Sequence, residues 1–199
     1  MTLRVLLLSP ATGPALRAAR FDDDSPLDER GIAQARAVAG AVPRASRHLT
    51  APSRRCRETA AGLGLSAEPA PGLVGLDVGR WRGLGLDELA AAEPEAVAAW
   101  LADPAAAPHG GESVVALVGR VGAWLDGLGS GNDGESDDGD GRVLAVAEPA
   151  VIRAAVVHAL ALPPQAFWRL DVRPLTLTAL SGRAGRWNLR CGEALGPAS

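Results

Sequence analysis

The sequence predicts a three-layer α/β/α sandwich around one central, mostly parallel sheet. Three observations carry this expectation. Residues 3–8 and 142–147 are short apolar runs that end in small or polar residues and then turn, as strands buried on both faces do. The second run continues into an apolar helical stretch, residues 150–162. Between and after these runs, strand-like and helix-like patterns alternate, which is the order of an α/β fold.

Taken in order, residues 3–8 read as the first strand and residues 27–42 as the first helix. A second strand is expected at 47–50, followed by a helix over 53–63. Residues 86–102 have helical character but contain Pro94, so two short helices are expected there. The spacing of Val115, Val118, Val121 and Leu125 predicts a long amphipathic helix over 112–128. Leu175 to Leu180 and Arg186 to Arg190 form a hairpin around residues 182–185, and alternation in its first arm suits an edge strand. At 199 residues the chain is expected to be a single domain, residues 1–199.

Composition excludes several functions. A net charge of -3 makes no electrostatic case for nucleic acid or an anionic membrane. No stretch approaches the roughly 20 apolar residues of a membrane span, and the start reads as a strand rather than a signal peptide. Cys56 and Cys191 make neither a disulfide framework nor zinc spacing, so a cytoplasmic protein with two free thiols is expected. Every basic residue is arginine and tyrosine is absent, as coding bias from a GC-rich bacterial genome would produce. Residues 129–141 are acidic, glycine-rich and free of apolar side chains, and read as a flexible loop. A calcium loop is the sharper alternative, but Asp138 and Leu144 stand where its glycine and final glutamate belong.

Several segments, in order, resemble the histidine phosphatase (phosphoglycerate mutase-like) superfamily. Leu6-Leu7-Leu8-Ser9-Pro10-Ala11-Thr12 stands in place of Leu-Val-Arg-His-Gly-Glu-Thr, and Pro26-Leu27-Asp28 to Gln34-Ala35 resembles the following helix start. Ala51-Pro52-Ser53-Arg54-Arg55-Cys56-Arg57-Glu58-Thr59-Ala60 is similar to Ser-Pro-Leu-x-Arg-Ala-x-Gln-Thr-Ala. Gly75-Leu76-Asp77-Val78-Gly79-Arg80-Trp81 resembles the segment that carries the acid, and Gly110-Gly111-Glu112-Ser113 opens the next long helix. Ala145-Val146-Ala147-Glu148-Pro149 stands where Val-Ser-His-Gly is expected.

The resemblance implies a histidine nucleophile, a second histidine, two phosphate-gripping arginines and an acid for the leaving group, because phosphoryl transfer rests on positioning and charge neutralisation. This chain departs at nearly every one of those positions. Ser9 and Glu148 replace the histidines, Leu8 an arginine and Gly75 the acid, while Arg55 alone remains. Ser9 and Glu148 are therefore the candidate, degenerate catalytic residues, and Arg55, His109 and Trp81 the candidate ligand-binding ones. Glu148 is expected to repel phosphate or to pair with Arg55. His48 and His158 read as structural, and a Ser9–Glu148 pair without histidine is a poor nucleophile–base set, since an ordinary carboxylate is a weak base. Glu112 suits a helix N-terminus.

The expected protein is one without phosphohistidine chemistry, metal or cofactor, which binds a small molecule in the ancestral pocket or regulates a partner as a monomer or homodimer. Two alternatives stand beside it: an enzyme repurposed for a non-phosphoryl reaction with Glu148 and Arg55, and a weak phosphomonoesterase.

Overall fold

The computed structural model describes residues 2–128 and 141–191. The acidic stretch singled out in the sequence lies, except for Gly141, outside the described residues. The chain runs β1 (Leu3–Leu8), α1 (Pro14–Arg17), α2 (Glu29–Ala37), β2 (Arg47–Thr50), α3 (Arg54–Gly62), β3 (Glu68–Pro69), α4 (Leu86–Ala92), α5 (Pro94–Ala102), α6 (Val114–Gly127), β4 (Arg142–Val146), α7 (Pro149–Ala159), β5 (Leu177–Arg183) and β6 (Arg186–Arg190). The strands form one sheet in the order β3-β2-β4-β1-β5-β6. The first four lie parallel, and β5 and β6 add an antiparallel hairpin. No helix among the described residues is long and apolar enough to cross a membrane.

Side-chain alternation sorts the two faces of the sheet. Val5 and Leu7 are fully buried on one face, and Trp187, which shares that face by register, reaches Asp126 on α6. The other face carries Leu6 and Leu8 toward the ends of α2 and α3. Helices thus cover both faces, as expected. Their starts follow local chemistry: Asp28 caps α2 by accepting from Gly31 N at 2.9 Å, and Ser113 caps α6 by accepting from Ala116 N at 3.1 Å. Pro94 opens α5 where the break was expected.

Three expectations are corrected. The first helix ends at Ala37 and a single 3-10 turn, Ala39–Ala41, follows, because Gly40 and Pro43 do not sustain a helix. On α6 the buried stripe is Val114, Leu117, Val121 and Leu125, while Val115 is 44% exposed. Two adjacent stripes both satisfy helical spacing, and packing against α7 selects this one. Finally, β5 is an inner strand and β6 the edge. β5 begins at Leu177 because Leu175 adopts φ 54, a left-handed conformation outside strand geometry.

α6 and α7 meet at Gly122, where an added Cβ would lie 2.2 Å from His158 Nδ1. One turn on, Asp126 accepts from Trp187 Nε1 at 2.7 Å and Gly185 N at 3.2 Å, and pairs with His158 Nε2 at 3.0 Å. This carboxylate joins α6, α7 and the hairpin turn. Gly122→Ala should therefore lower stability by about 1–3 kcal/mol through overpacking, read as a shift in the urea midpoint with unchanged slope.

Candidate functional site

The carboxyl ends of the parallel strands are where an α/β sheet assembles a site. Ala147 N donates to Leu8 O at 2.9 Å and Ala51 N to Val146 O at 2.7 Å, so the chain leaves β1, β2 and β4 side by side. Glu148 follows β4 as the N-cap residue of α7, and Ser53 caps α3 by accepting from Cys56 N at 3.4 Å. Two helix N-termini and their partial positive charge therefore flank the Glu148 carboxylate.

Four donors converge on that carboxylate. Arg55 Nη2 bonds Oε2 and Arg55 Nε lies 3.5 Å from Oε1. Ser53 Oγ donates to Oε1 at 2.7 Å, and the Cys56 thiol donates to the same oxygen at 3.3 Å. The Arg55 and Glu148 side chains are 9% and 8% exposed, so this is a buried ion pair. Burial works against the Arg55 cation, but the charge and hydrogen bond of Glu148, with Asp22 behind it, hold its pKa above the ordinary value. Burial and the Glu148 charge push the Cys56 thiol well up, so Cys56 stays protonated at neutral pH and is no nucleophile.

Asp22 is a third charged group at the cluster. Burial first, and then the charge of Glu148, raise its pKa, with Arg55 offsetting part of the rise. Gly75 closes another side: a Cβ there would lie 3.4 Å from Glu148 Cγ. Its loop is held by Arg120, which donates to Gly72 O at 3.1 Å and Gly75 O at 3.4 Å while forking onto Glu112 at 2.9 and 2.8 Å. Glu112, expected to favour a helix start, instead orients this arginine.

The structure thus joins Arg55 and Glu148, as their positions suggested, and separates the other candidates from them. Ser9 is fully buried, but its hydroxyl bonds Arg173 O and accepts from Thr176 N at 3.1 Å. It makes no hydrogen bond to Glu148; it braces the turn that holds Leu175 at positive φ. Trp81 is 0% exposed and cannot line a pocket mouth. It packs against Phe21, Trp100 and His109, with ring centroids 6.0, 5.5 and 5.1 Å away. Burial in that cluster lowers the pKa of His109, whose Nδ1 accepts from Gly111 N at 3.0 Å. Neither Trp81 nor His109 has a hydrogen bond or ring contact with Arg55 or Glu148 among the described residues. His158 is held by Asp126, and His48 lies on β2.

Asp22 and Ser53 were missed in the sequence. Asp22 opens the triplet Asp22-Asp23-Asp24, a visible acidic signal that nothing local ties to Glu148. Ser53 lies inside a recognised segment, but a serine before a helix reads as a cap.

Chemically, the cluster is an arginine neutralised by an internal carboxylate, with a second carboxylate beside it. Among the described residues no group of three or more His, Cys, Asp or Glu is arranged to hold a metal ion.

The sequence profile of the histidine phosphatase superfamily (branch 1) matches residues 14–193. Among solved structures, the chain is similar to a protein described as mycobacterial hydrolase 1, at 29% identity and TM-score 0.84, covering 98% of this chain and 99% of the other. It is also similar to a mycobacterial glucosyl-3-phosphoglycerate phosphatase, at 28% identity and TM-score 0.81, covering 95% and 97%. The alpha-ribazole phosphatase from Shigella flexneri shares the fold at 21% identity and TM-score 0.78, covering 94% and 95%. No curated protein matches by sequence.

Two outcomes follow from this geometry. Because the pair is buried, Glu148→Gln or Arg55→Met alone should each cost about 3–5 kcal/mol by stranding the other partner, and the double variant should recover much of the loss; a double-mutant cycle in urea measures it. Asp22 has a folded pKa above its unfolded value, so its cost is absent below the unfolded pKa and complete once pH rises past the folded one. Asp22→Asn should therefore raise the melting temperature at pH 7, by roughly a degree or more, with the gain fading as pH falls through the raised folded pKa and gone below about 4, read by thermal melts from pH 7 down to that point.

Proposed function

The chain belongs to the histidine phosphatase superfamily, and we propose that it has lost phosphohistidine-dependent phosphatase and mutase activity and acts as a binding or regulatory protein through the ancestral pocket. One observation carries the reading: the Glu148 carboxylate accepts the hydrogen bonds of Arg55 that a phosphate would otherwise take. An entering phosphate would have to displace a buried, four-donor carboxylate and then face both Glu148 and Asp22. Like charges at that range oppose binding rather than assist it. Ser9 at the first histidine position supports the same reading, since its hydroxyl is committed to backbone groups, and no histidine hydrogen-bonds to the pair among the described residues. A loss of the general acid at Gly75 is consistent with this. The arrangement favours a small neutral or cationic ligand over an anion.

A second reading is favoured by Asp22. A carboxyl whose pKa is raised beside a buried carboxylate has the form of an acid–base group, so Asp22 with Glu148 and Arg55 would suit a repurposed, non-phosphoryl enzyme. Phosphatase relatives at 28% identity make a weak phosphomonoesterase the remaining alternative.

The test is direct. Hydrolysis of p-nitrophenyl phosphate should sit at background, no acid-labile phosphoprotein should form, and calorimetry should show no micromolar binding of phosphate or vanadate. Turnover that vanishes in Arg55→Ala would establish the phosphatase reading instead. A reaction on non-phosphate esters or amides that is lost in Asp22→Asn would establish the repurposed enzyme.

A further inference from the structure

A groove of about 990 Å³, whose lining includes neither Arg55 nor Glu148, lies on the sheet face that α2 and α3 share. Those helices cover one side of that face and leave the β1–β5–β6 side open, so Leu6, Leu177 and Ala179 are only half-buried. The register places polar and apolar side chains in rows across the strands. Arg142, Arg4, Ser181 and Asn188 align in one row, since Arg4 pairs with Arg142 and Ser181, and Ser181 with Asn188. The next row toward the strand's end holds Leu6, Ala179 and Arg190, and the row beyond it Leu8 and Leu177.

The groove therefore has a basic end and an apolar end. Three arginines and no acidic side chain line it, in a chain of net charge -3. Arg4 and Arg190 are exposed, and neither has a side-chain partner among the described residues. From the Arg4 row to the Leu8 row the strand rises about 13 Å, at roughly 3.3 Å per residue. That is the length of a decyl chain. Volume, apolar lining and a few polar groups at one end are the properties of a small-molecule site.

We propose that this groove binds a single-chain amphipathic anion, with its carboxylate or phosphate head at Arg4 and Arg190 and its alkyl tail along Leu6, Leu8 and Leu177. The complementarity is one of charge at the head and of apolar area along the tail. Arg142, which also donates to Arg44 O at 3.1 Å, adds to the field at the head end. The site is separate from the Arg55–Glu148 pair and does not depend on how that pair is read.

The experiment is calorimetric titration of the full chain with decanoate and decyl phosphate, both below their micellar concentrations. Saturable one-site binding of both is expected, weakened about tenfold or more in Arg4→Glu and in Arg190→Glu, and abolished in Ala179→Trp, which fills the floor. The two arginines are surface residues, so their variants report on binding even where Ala179→Trp fails to fold. Equal binding of decyltrimethylammonium would overturn the assignment, because the head would then contribute nothing. Failure of both anions to titrate, with binding seen only to phosphatidylglycerol vesicles, would overturn it in favour of a membrane surface. Failure to titrate together with a dimer in sedimentation equilibrium that Ala179→Trp dissociates would overturn it in favour of a second copy of the chain.

Discussion

The buried pair between Arg55 and Glu148 is the constraint on which this end of the molecule depends. Each residue belongs to a different strand–helix unit: Arg55 to the first turn of α3 and Glu148 to the junction of β4 and α7. Neither charge is tolerable alone at less than a tenth exposure, because an unpaired buried ion costs several kcal/mol. Pairing removes that cost, and Ser53 and Cys56 complete the carboxylate's hydrogen bonds. The two helix N-termini then face a fixed negative charge, which their dipoles favour. An arrangement suited to receiving an external anion holds an internal one.

The surrounding loops follow from that closure. Gly75 lies against Glu148, where a larger residue would crowd the carboxylate, and Arg120 ties the carbonyls of Gly72 and Gly75 to Glu112. On the other side Ser9 spends its hydroxyl on the backbone around Thr176, where Leu175 is held in a conformation that costs a branched side chain about 1–2 kcal/mol. A buried hydroxyl committed to the backbone of this turn is poorly placed to attack a substrate. The aromatic cluster of Phe21, Trp81, Trp100 and His109 stands apart, with His109 kept neutral by burial. The rings pack α5, through Trp100, against the segments that carry Phe21, Trp81 and His109.

The site was legible where residues sat at ends of elements. Arg55 and Glu148 both follow short strands, and parallel strands put their carboxyl ends together, so their place at one edge of the sheet followed from order, while their pairing did not. Asp22 was not legible in this way. It lies in a long irregular segment, and only the path of that segment over the sheet's end brings the carboxylate to Glu148. Ser9 was visible, but its partner was not, because the bond to the 173–176 turn spans nearly the whole chain. Trp81 shows the opposite error: an indole in a recognised segment suggested a pocket wall, and packing against three other rings buries it completely.

By itself the sequence determined the α/β architecture, the order of its main strands and helices and the placement of Arg55 and Glu148 at the sheet's carboxyl edge. Those follow from periodicity of two against 3.6, from capping residues such as Asp28 and Ser113, and from strand-end position, all of which act over a few residues. Tertiary structure alone decided which stripe of α6 is buried, that β6 rather than β5 is the edge, where the Ser9 hydroxyl points, and that Asp22 joins the cluster. Each of these choices lies between local alternatives of similar energy. Contacts between segments distant in sequence select among them, through the volume at Gly122, the Asp126 carboxylate and the register of β5 on β1.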